Sequence, residues 1–352
     1  MNFKKLRFFK NDFEKLHKSN ISRNSVVFNF ETSIFTSGSF PQEIINSNIN
    51  TNKLPKYIGT LLLPNLNNYT KLNISRTINN INKSYMKILF IGDIVGKSGR
   101  DIVSSLLYSV KKENSIDIVI ANAENSAHGK GITHKIYKAL INEGIDYITM
   151  GNHTYSKSEI NDHMDELTNL VVPYNHSLRT TNNFYKIIEY KSMKICLTNI
   201  LGNVLIGEAD SDPYKAFEKV LEKTSNLNPD FYFVDLHAET TATKRVFAEH
   251  FKDYAKVVVG THTHVQTADE RMIGDCAFIT DVGMCGPYDS VIGRDVEESI
   301  KTNVFHEKTH FEVGAGESIF CAVIVEIDEK KKVPVAIRLM MLNKKMWSLN
   351  MN

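Results

Sequence analysis

The chain is poor in the features that build disulfide-stabilised or membrane-spanning proteins. Its 352 residues include four scattered cysteines and no CxxC pair: Cys196, Cys276, Cys285 and Cys321. This pattern argues against disulfide cross-links and a thiolate zinc site, and it favours a reducing compartment such as the cytoplasm. No apolar run approaches the ~18–20 residues that cross a bilayer, so we expect no membrane segment.

The chain also has little net charge, but the charged residues are unevenly distributed. The formal net charge is +2, yet residues 1–85 carry 12 Lys/Arg against 4 Asp/Glu, and the remainder carries 30 against 36. Residues 1–85 are rich in Asn, Ser and Lys without a clear period, which predicts a disordered or weakly ordered low-complexity extension. An organelle-targeting presequence and an untargeted tail both stay open. Asp12, Glu14 and Glu31 argue against a transit peptide.

From Met86 onward, short apolar runs alternate with helical patterns. KILFI, DIVIA and YITM predict strands, while residues 100–114 and 133–144 have the apolar spacing of helices. A third helix is predicted in KSEINDHMDEL, and further strands and helices follow in the same order. Such alternation predicts parallel βαβ units in a layered α/β domain over residues 86–352. The runs SIFCAVIVEID and VPVAIRLMML predict a C-terminal hairpin, and this strand-rich half suggests a second sheet stacked on the first.

Metal-binding residue types recur at the ends of five predicted strands. The sets are Gly92-Asp93, Asn122-Ala123-Glu124-Asn125, Gly151-Asn152-His153, His237, and His262-Thr263-His264. Because the ends of parallel strands open onto one crevice, we expect these side chains to form one cluster. Carboxylate, amide and imidazole donors without cysteine suit a pair of Fe, Mn or Zn ions, which can clamp a phosphoryl group.

Two local patterns refine this cluster. In His262-Thr-His264, the two-residue period of a strand would send both imidazoles to the same face, where they serve two neighbouring ions. Gly151 allows a tight turn after its strand, so the adjacent side chains of Asn152 and His153 diverge. One of them can then bind metal while the other faces the substrate.

The order GD, GNH, H and GTHTH resembles that of the calcineurin-like metallophosphoesterases. Two departures, Asp93-Ile94-Val95 in place of Asp-x-His and Asn122-Ala123-Glu124-Asn125 in place of Gly-Asp-x-x-Asp, are similar to the YmdB branch. GKGIT, ITMGNHT, GTHTHVQTAD and ITDVGMCGPYDSVIG agree with that branch. The resemblance covers roughly residues 86–346 and implies a four-layer αββα sandwich of the metallo-dependent phosphatase type.

The resemblance also implies the site and the reaction. It assigns the first ion to Asp93, Glu124, Asn125 and His264, and the second to Glu124, Asn152, His237 and His262, with Glu124 bridging. It implies hydrolysis of a phosphodiester such as 2′,3′-cyclic AMP by hydroxide generated at the metals, with His153 as proton donor. The oxygen-rich first site favours Fe or Mn over Zn.

Other residues are weaker candidates. Tyr288 is a candidate for stacking on a base, Arg294 for pairing with phosphate, and Lys130 for lining the phosphate pocket. Asp281, which ends a strand, is a candidate for orienting a ligand histidine. The remaining histidines, including His163 and His176, have no evident partner in the sequence, and we expect structural or surface roles for them.

Alternative functions stay open. A phosphomonoesterase or a nuclease would use the same metal chemistry. A regulatory RNA-binding protein with a relic metal site is a different class, and the basic extension leaves RNA contact open although it offers few aromatic residues for stacking. The expected partner is a small nucleotide substrate, and a homo-oligomer is left open.

Overall fold

The structure, a computed structural model, describes residues 85–343. The predicted extension over residues 1–85 therefore lies outside the described residues, apart from Tyr85, which begins the first strand. Within the described part of the chain, no helix is both long and apolar enough to cross a membrane.

The first half alternates strands and helices as the sequence predicts. Its elements are β1 (Tyr85–Ile91), β2 (Asp93–Ile94), α1 (Gly96–Asn114), β3 (Ile118–Asn122), α2 (His134–Asn142), β4 (Tyr147–Thr149), α3 (Glu159–Asp162) and β5 (Leu170–Val171). The helix predicted in KSEINDHMDEL is only one turn long. His163 leaves the helical backbone at its end, with φ −113° and ψ 6°, and its ring lies 3.1 Å from Glu166 Oε1.

The second half adds most of the strands. Its elements are β6 (Tyr185–Tyr190), β7 (Met193–Leu201), α4 (Pro213–Thr224), β8 (Phe231–His237), α5 (Thr241–Phe251), β9 (Ala255–Thr261), β10 (Arg271–Ile273), β11 (Cys276–Ile279), β12 (Met284–Pro287), α6 (Val296–Asn303), β13 (Ser318–Asp328) and β14 (Val333–Leu342). A 3₁₀ turn, Ser225–Leu227, follows α4. The start of α4 is fixed by Asp212, whose side chain accepts from the backbone N–H of Tyr214 and Lys215.

Two sheets form the centre of the fold. The first has eight strands in the order β2-β12-β13-β1-β3-β4-β5, with β14 paired to β13, and the second has six in the order β10-β11-β9-β8-β7-β6. Strands β1, β3, β4 and β5 are parallel in the first sheet, and β7, β8, β9 and β11 are parallel in the second. Both sheets therefore have carboxyl ends that can carry polar side chains.

Three apolar cores give the fold its layers. On β1, Leu89 and Ile91 pack with α1 and α2, while Ile88 and Phe90 pack against the second sheet, as the two-residue period of a strand requires. The second sheet buries Phe233 against the first sheet and Val234 against α4 and α5. The predicted αββα sandwich is thereby confirmed.

The C-terminal hairpin is present, but the expectation that this strand-rich half supplies the second sheet is wrong. β13 lies between β1 and β12 in the first sheet and pairs antiparallel to both. Most of β13 is buried on both faces, as a central strand between two packed layers requires. The second sheet is built from the strands between Tyr185 and Ile279 instead.

Candidate metal centre

Asp93 is the first residue of β2, separated by one residue from the end of β1, and is fully buried. The preceding Gly92 packs closely on another backbone segment, since an added Cβ would lie 2.0 Å from the carbonyl oxygen of Gly283. The backbone N–H of His262 donates to Asp93 Oδ2 at 3.2 Å. Asp93 Oδ1 has no hydrogen-bond partner in the described structure and lies 3.8 Å from His264 Nε2. A buried oxygen without a donor is costly, so this atom fits a bound cation.

Glu124, just beyond β3, is at the centre of the cluster. Its Oε1 lies 3.0 Å from His237 Nε2 and accepts from Asn125 Nδ2 at 3.2 Å. Its Oε2 accepts from the backbone N–H of His153 at 2.9 Å. One carboxylate thus contacts residues from the ends of β3, β4 and β8, which is the position that a bridging ligand requires.

The turn after β4 depends on Gly151. A Cβ at this residue would lie 2.3 Å from Glu124 Oε2 and 2.5 Å from the His237 ring, so only glycine fits. The side chains of Asn152 and His153 diverge as predicted. Asn152 Oδ1 lies 3.1 Å from His237 Nε2, whereas His153 lines a cavity of about 210 Å³ above the cluster.

His262 and His264 do not lie on a strand, so the expected two-residue strand period is wrong here. β9 ends at Thr261, and the two histidines have φ of +97° and +64°. Both still reach the site. His262 Nδ1 lies 3.0 Å from His237 Nε2, and His264 Nε2 lies 3.0 Å from the amide of Asn125. The positive φ of both residues therefore places His262 beside His237 and His264 beside Asn125, in a backbone conformation that is unfavourable for histidine.

The electrostatics of these groups fit a metal centre. Burial raises the pKa of Asp93 to about 7. Burial alone would lower the pKa of His237, but the charge and hydrogen bond of Glu124, together with the charges of Asp93 and Asp235, outweigh it and raise that pKa to about 9. Burial, with the neighbouring charge of His237, lowers the pKa of His262 to about 3. A cation bound here would favour ionised Asp93 and neutral imidazoles, which are the forms that ligate.

The structure brings all seven predicted ligands together. One nitrogen or oxygen each of Glu124, His237 and His262 lie within 4.8 Å of one another. Half a turn of the Asn125 amide would put its oxygen where the nitrogen now faces His264. Carboxylate, amide and imidazole donors converging in a buried cluster suit divalent transition metals, and the residues fit the metal pair that the sequence predicts.

A buried polar network holds the ligands from behind, and no sequence pattern pointed to it. Asp235, fully buried on β8, accepts from Thr261 Oγ1 at 2.6 Å, Thr149 Oγ1 at 2.6 Å and Asn122 Nδ2 at 3.0 Å. Thr261 Oγ1 in turn lies 2.9 Å from His237 Nδ1. The network leaves His237 Nε2 facing the cluster.

A second buried contact fixes the loop of His262 and His264. Lys244 Nζ lies 2.8 Å from Asp281 Oδ2 and donates to the Thr261 carbonyl at 2.8 Å. Asp281 Oδ2 also accepts from the backbone N–H of Thr263 at 3.1 Å. Asp281 was a candidate for orienting a histidine ring, but on this loop it contacts the backbone between the two histidines. Lys244, which lies on α5 and which the sequence did not single out, is its buried partner.

Two histidines expected to lack partners have them. His176 is buried, accepts from the backbone N–H of Leu178 at Nδ1, and lies 3.1 Å from the Asn152 carbonyl at Nε2. It therefore supports the turn that carries Asn152. His163 pairs with Glu166 and stacks on His134 at 4.0 Å, away from the cluster.

Of the three candidate substrate residues, the structure brings two to the cavity. Lys130 and Arg294 line it, whereas Tyr288 is 64% exposed and is not among its lining residues. The Arg294 guanidinium pairs with Glu298 at 2.6 Å, so its charge is already balanced. Phe311, which the sequence did not single out, also lines the cavity. It lies in a loop without a periodic pattern.

A four-layer sandwich with this cluster at the strand ends defines a metallophosphoesterase. The profile of the YmdB-like protein family matches residues 89–340, and the chain belongs to that family. A 2′,3′-cyclic-nucleotide 2′-phosphodiesterase of Bacillus subtilis is 39% identical over 259 residues, covering 73% of this chain and 97% of that protein. A putative phosphatase/phosphodiesterase of Mycoplasma pneumoniae is 38% identical, covering 70% of this chain and 89% of that protein.

Solved structures agree with this assignment. A phosphatase from Mycoplasma pneumoniae superposes with a TM-score of 0.70 and 35% identity, covering 76% of this chain and 97% of that one. A protein from Thermus thermophilus gives a TM-score of 0.68 and 31% identity, covering 73% of this chain and 99% of that one. The agreement extends over the described core rather than a single motif.

Proposed function

We propose that this protein is a metal-dependent phosphodiesterase that opens 2′,3′-cyclic nucleotides. The observation that carries the proposal is the position of Glu124, whose two carboxylate oxygens contact His237, Asn125 and the backbone of His153 at 2.9–3.2 Å. The activity named for the Bacillus subtilis relative supports the choice of substrate.

Seven side chains would hold two divalent ions, as the resemblance implies. Asp93, Asn125 and His264 would serve the first ion, Asn152, His237 and His262 the second, and Glu124 both. Bound ions supply Lewis acidity to the phosphoryl oxygens and activate the attacking water. The oxygen-rich first set favours Fe or Mn over Zn.

His153 is proposed as the proton donor. Its backbone N–H is fixed by Glu124, and its ring lines the cavity above the cluster. Burial lowers the pKa of His153, which favours the neutral ring. An anionic phosphate bound in the cavity would act in the opposite direction and favour the protonated ring that donates. In the reaction water forms a bond to phosphorus, one ribose P–O bond breaks, and the departing ribose oxygen takes the His153 proton.

The test of the function is hydrolysis by the purified full chain loaded with Mn²⁺ or Fe²⁺. We expect turnover of 2′,3′-cyclic AMP that a chelator abolishes, with little turnover of AMP or linear RNA. Glu124→Ala should lose at least one ion per chain and nearly all activity. Two bound ions without hydrolysis of the cyclic nucleotide would contradict the proposal, and preferred turnover of AMP or RNA would favour a phosphomonoesterase or a nuclease.

The test of His153 compares leaving groups. His153→Ala should keep both ions and lose ~10²-fold or more in kcat/KM on 2′,3′-cyclic AMP, because a ribose alkoxide needs a proton to leave. On bis-p-nitrophenyl phosphate the loss should be much smaller, since p-nitrophenolate leaves without one. Equal losses on both substrates would indicate charge stabilisation, and loss of metal would make His153 a ligand.

We also propose a cytoplasmic location, because all four cysteines are free and buried. The homo-oligomer and the RNA contact that the sequence leaves open stay predictions.

A further inference from the structure

Two cavities adjoin at the candidate metal centre. The smaller, of about 210 Å³, lies over Glu124, Asn125, His262 and His264. The larger, of about 620 Å³, extends away from the ligands along Glu298, Thr302 and residues 307–310. Sites for small organic molecules usually have volumes of about 300–1,000 Å³. The smaller cavity is therefore too small for a whole nucleotide, and the larger one is of sufficient size for a nucleoside.

Three side chains line both cavities and mark the boundary between them: Lys130, Arg294 and Phe311. Among the described residues, Phe311 is the only phenylalanine, tyrosine or tryptophan in either lining. The residue is 36% exposed, so one part of it is available to a ligand while the rest is packed. An aromatic surface thus lies beside the position at which a phosphoryl group would meet the metal ligands.

The surroundings of Phe311 hold its ring in a defined place. At Gly129, which has φ +84°, an added Cβ would lie 2.2 Å from the ring, so the ring packs directly on the glycine backbone. The Arg294 guanidinium carbon lies 5.3 Å from the ring centroid, and Glu298 fixes that guanidinium with three hydrogen bonds. A ring held in this way loses little freedom when a ligand binds.

The charge of the larger cavity suits an uncharged group. Its lining includes Lys130, Arg294 and Lys308, but also Glu298 and Glu307. Because Glu298 neutralises Arg294, no strong positive field runs along this cavity to attract a chain of phosphates. A nucleobase, neutral and planar, matches the aromatic wall and the balanced charge better than an oligonucleotide backbone does.

We propose that the larger cavity is the nucleoside subsite, in which the base packs on Phe311 while its cyclic phosphate lies over the metal ligands. This inference rests on the proposed function and names the residue that recognises the base. It assigns to Phe311 the role for which the sequence offered Tyr288, which lines neither cavity.

The test uses two substrates that share the reacting bonds and differ in the base. They are 2′,3′-cyclic AMP and methyl ribofuranoside 2′,3′-cyclic phosphate, which has no base. Phe311→Ala should raise KM and lower kcat/KM for cyclic AMP roughly 10-fold or more, within the range that base–aromatic stacking supplies. The kcat/KM for the base-free compound should change less than about twofold. Phe311→Trp should retain the wild-type preference for cyclic AMP over the base-free compound.

Phe305→Ala is the matched control, because Phe305 is an exposed phenylalanine in the same loop region that lines neither cavity. This control should leave kcat/KM unchanged for both substrates. Metal content and melting temperature are measured for each variant, and Phe311→Leu, which keeps an apolar side chain, replaces Phe311→Ala if that variant does not fold.

The outcomes separate the subsite from the function. Suppose that the wild-type protein turns over both compounds. If Phe311→Ala then lowers kcat/KM equally for both, or for neither, the subsite is overturned while the function stands. A selective loss in Tyr288→Ala with none in Phe311→Ala moves the base to Tyr288 and also overturns the proposal. A metal-loaded wild type that hydrolyses neither compound overturns the proposed function, and the subsite with it.

Discussion

Asp235 is a buried carboxylate that determines which nitrogen of His237 carries the proton. The Thr261 hydroxyl donates its only proton to Asp235 Oδ1 at 2.6 Å. The same hydroxyl oxygen lies 2.9 Å from His237 Nδ1, so it accepts a hydrogen bond from that nitrogen. A neutral His237 ring therefore keeps its proton on Nδ1 and its lone pair on Nε2, the nitrogen that lies 3.0 Å from Glu124.

We expect Asp235→Asn to weaken metal binding at the His237 side by roughly 10–100-fold. If the new amide nitrogen faces Thr261, the hydroxyl becomes its acceptor and donates to His237 Nδ1, which moves the ring proton to Nε2. If the amide has the opposite orientation, its nitrogen meets Asn122 Nδ2, which is also a donor. The first orientation leaves His237 Nε2 without a lone pair for the metal, and the second removes the acceptor of Asn122 beside the ligands. Loss of a group that supports a metal ligand typically costs about 10–100-fold in affinity.

The assay is metal content per chain and the dissociation constant for Mn²⁺, with melting temperature measured on the same samples. Asp269→Asn is the matched control, because Asp269 also accepts from two threonine hydroxyls, Thr267 at 2.7 Å and Thr280 at 2.6 Å, and none of its hydrogen bonds involves a candidate ligand. Wild-type metal affinity in Asp235→Asn, or an equal loss in Asp269→Asn, would refute the reasoning.

Two further predictions concern stability and the extension. Lys244→Met should lower the free energy of unfolding by about 3–5 kcal/mol in urea titrations, because Asp281 would be left buried without its partner. Lys219→Met, on an exposed pair with Glu222, should stay close to wild type, and an equal effect of both changes would contradict the argument. We propose that residues 1–85 are dispensable for chemistry, so their deletion should leave metal content and turnover unchanged; a collapse of folding would refute this.

The order of elements was predictable from the sequence because local patterns determine it. Apolar runs bounded by glycine indicated the strands, and the ligand residues follow those strands directly in the chain. Sheet membership was not predictable in this way. Nothing local distinguishes β13, which enters the middle of the first sheet, from β8, which is central in the second. That choice depends on pairing between distant segments.

The supporting groups escaped prediction for a different reason. Asp235 and Thr261 are polar residues inside apolar strands, and their value comes from contacts of 2.6–2.9 Å that form only when β8 and β9 pair in the sheet. Lys244 occupies an ordinary helix position, and only the fold reveals that it is buried against Asp281. Sequence patterns indicate residues that can bind metal directly. Asp235, Thr261 and Lys244 instead act by fixing the positions of such residues, which only the folded structure shows.

The loop of His262 and His264 shows how a correct ligand prediction can follow from an incorrect local structure. The two-residue strand period would have put both rings on one face, but both residues have positive φ. Such backbone is unfavourable for histidine and persists only where the surroundings determine it. Here Asp93 accepts the His262 N–H, and Asp281 accepts the Thr263 N–H. A buried carboxylate on each side thus holds the strained loop, and Asp93 both shapes the loop and offers its second oxygen to the metal position.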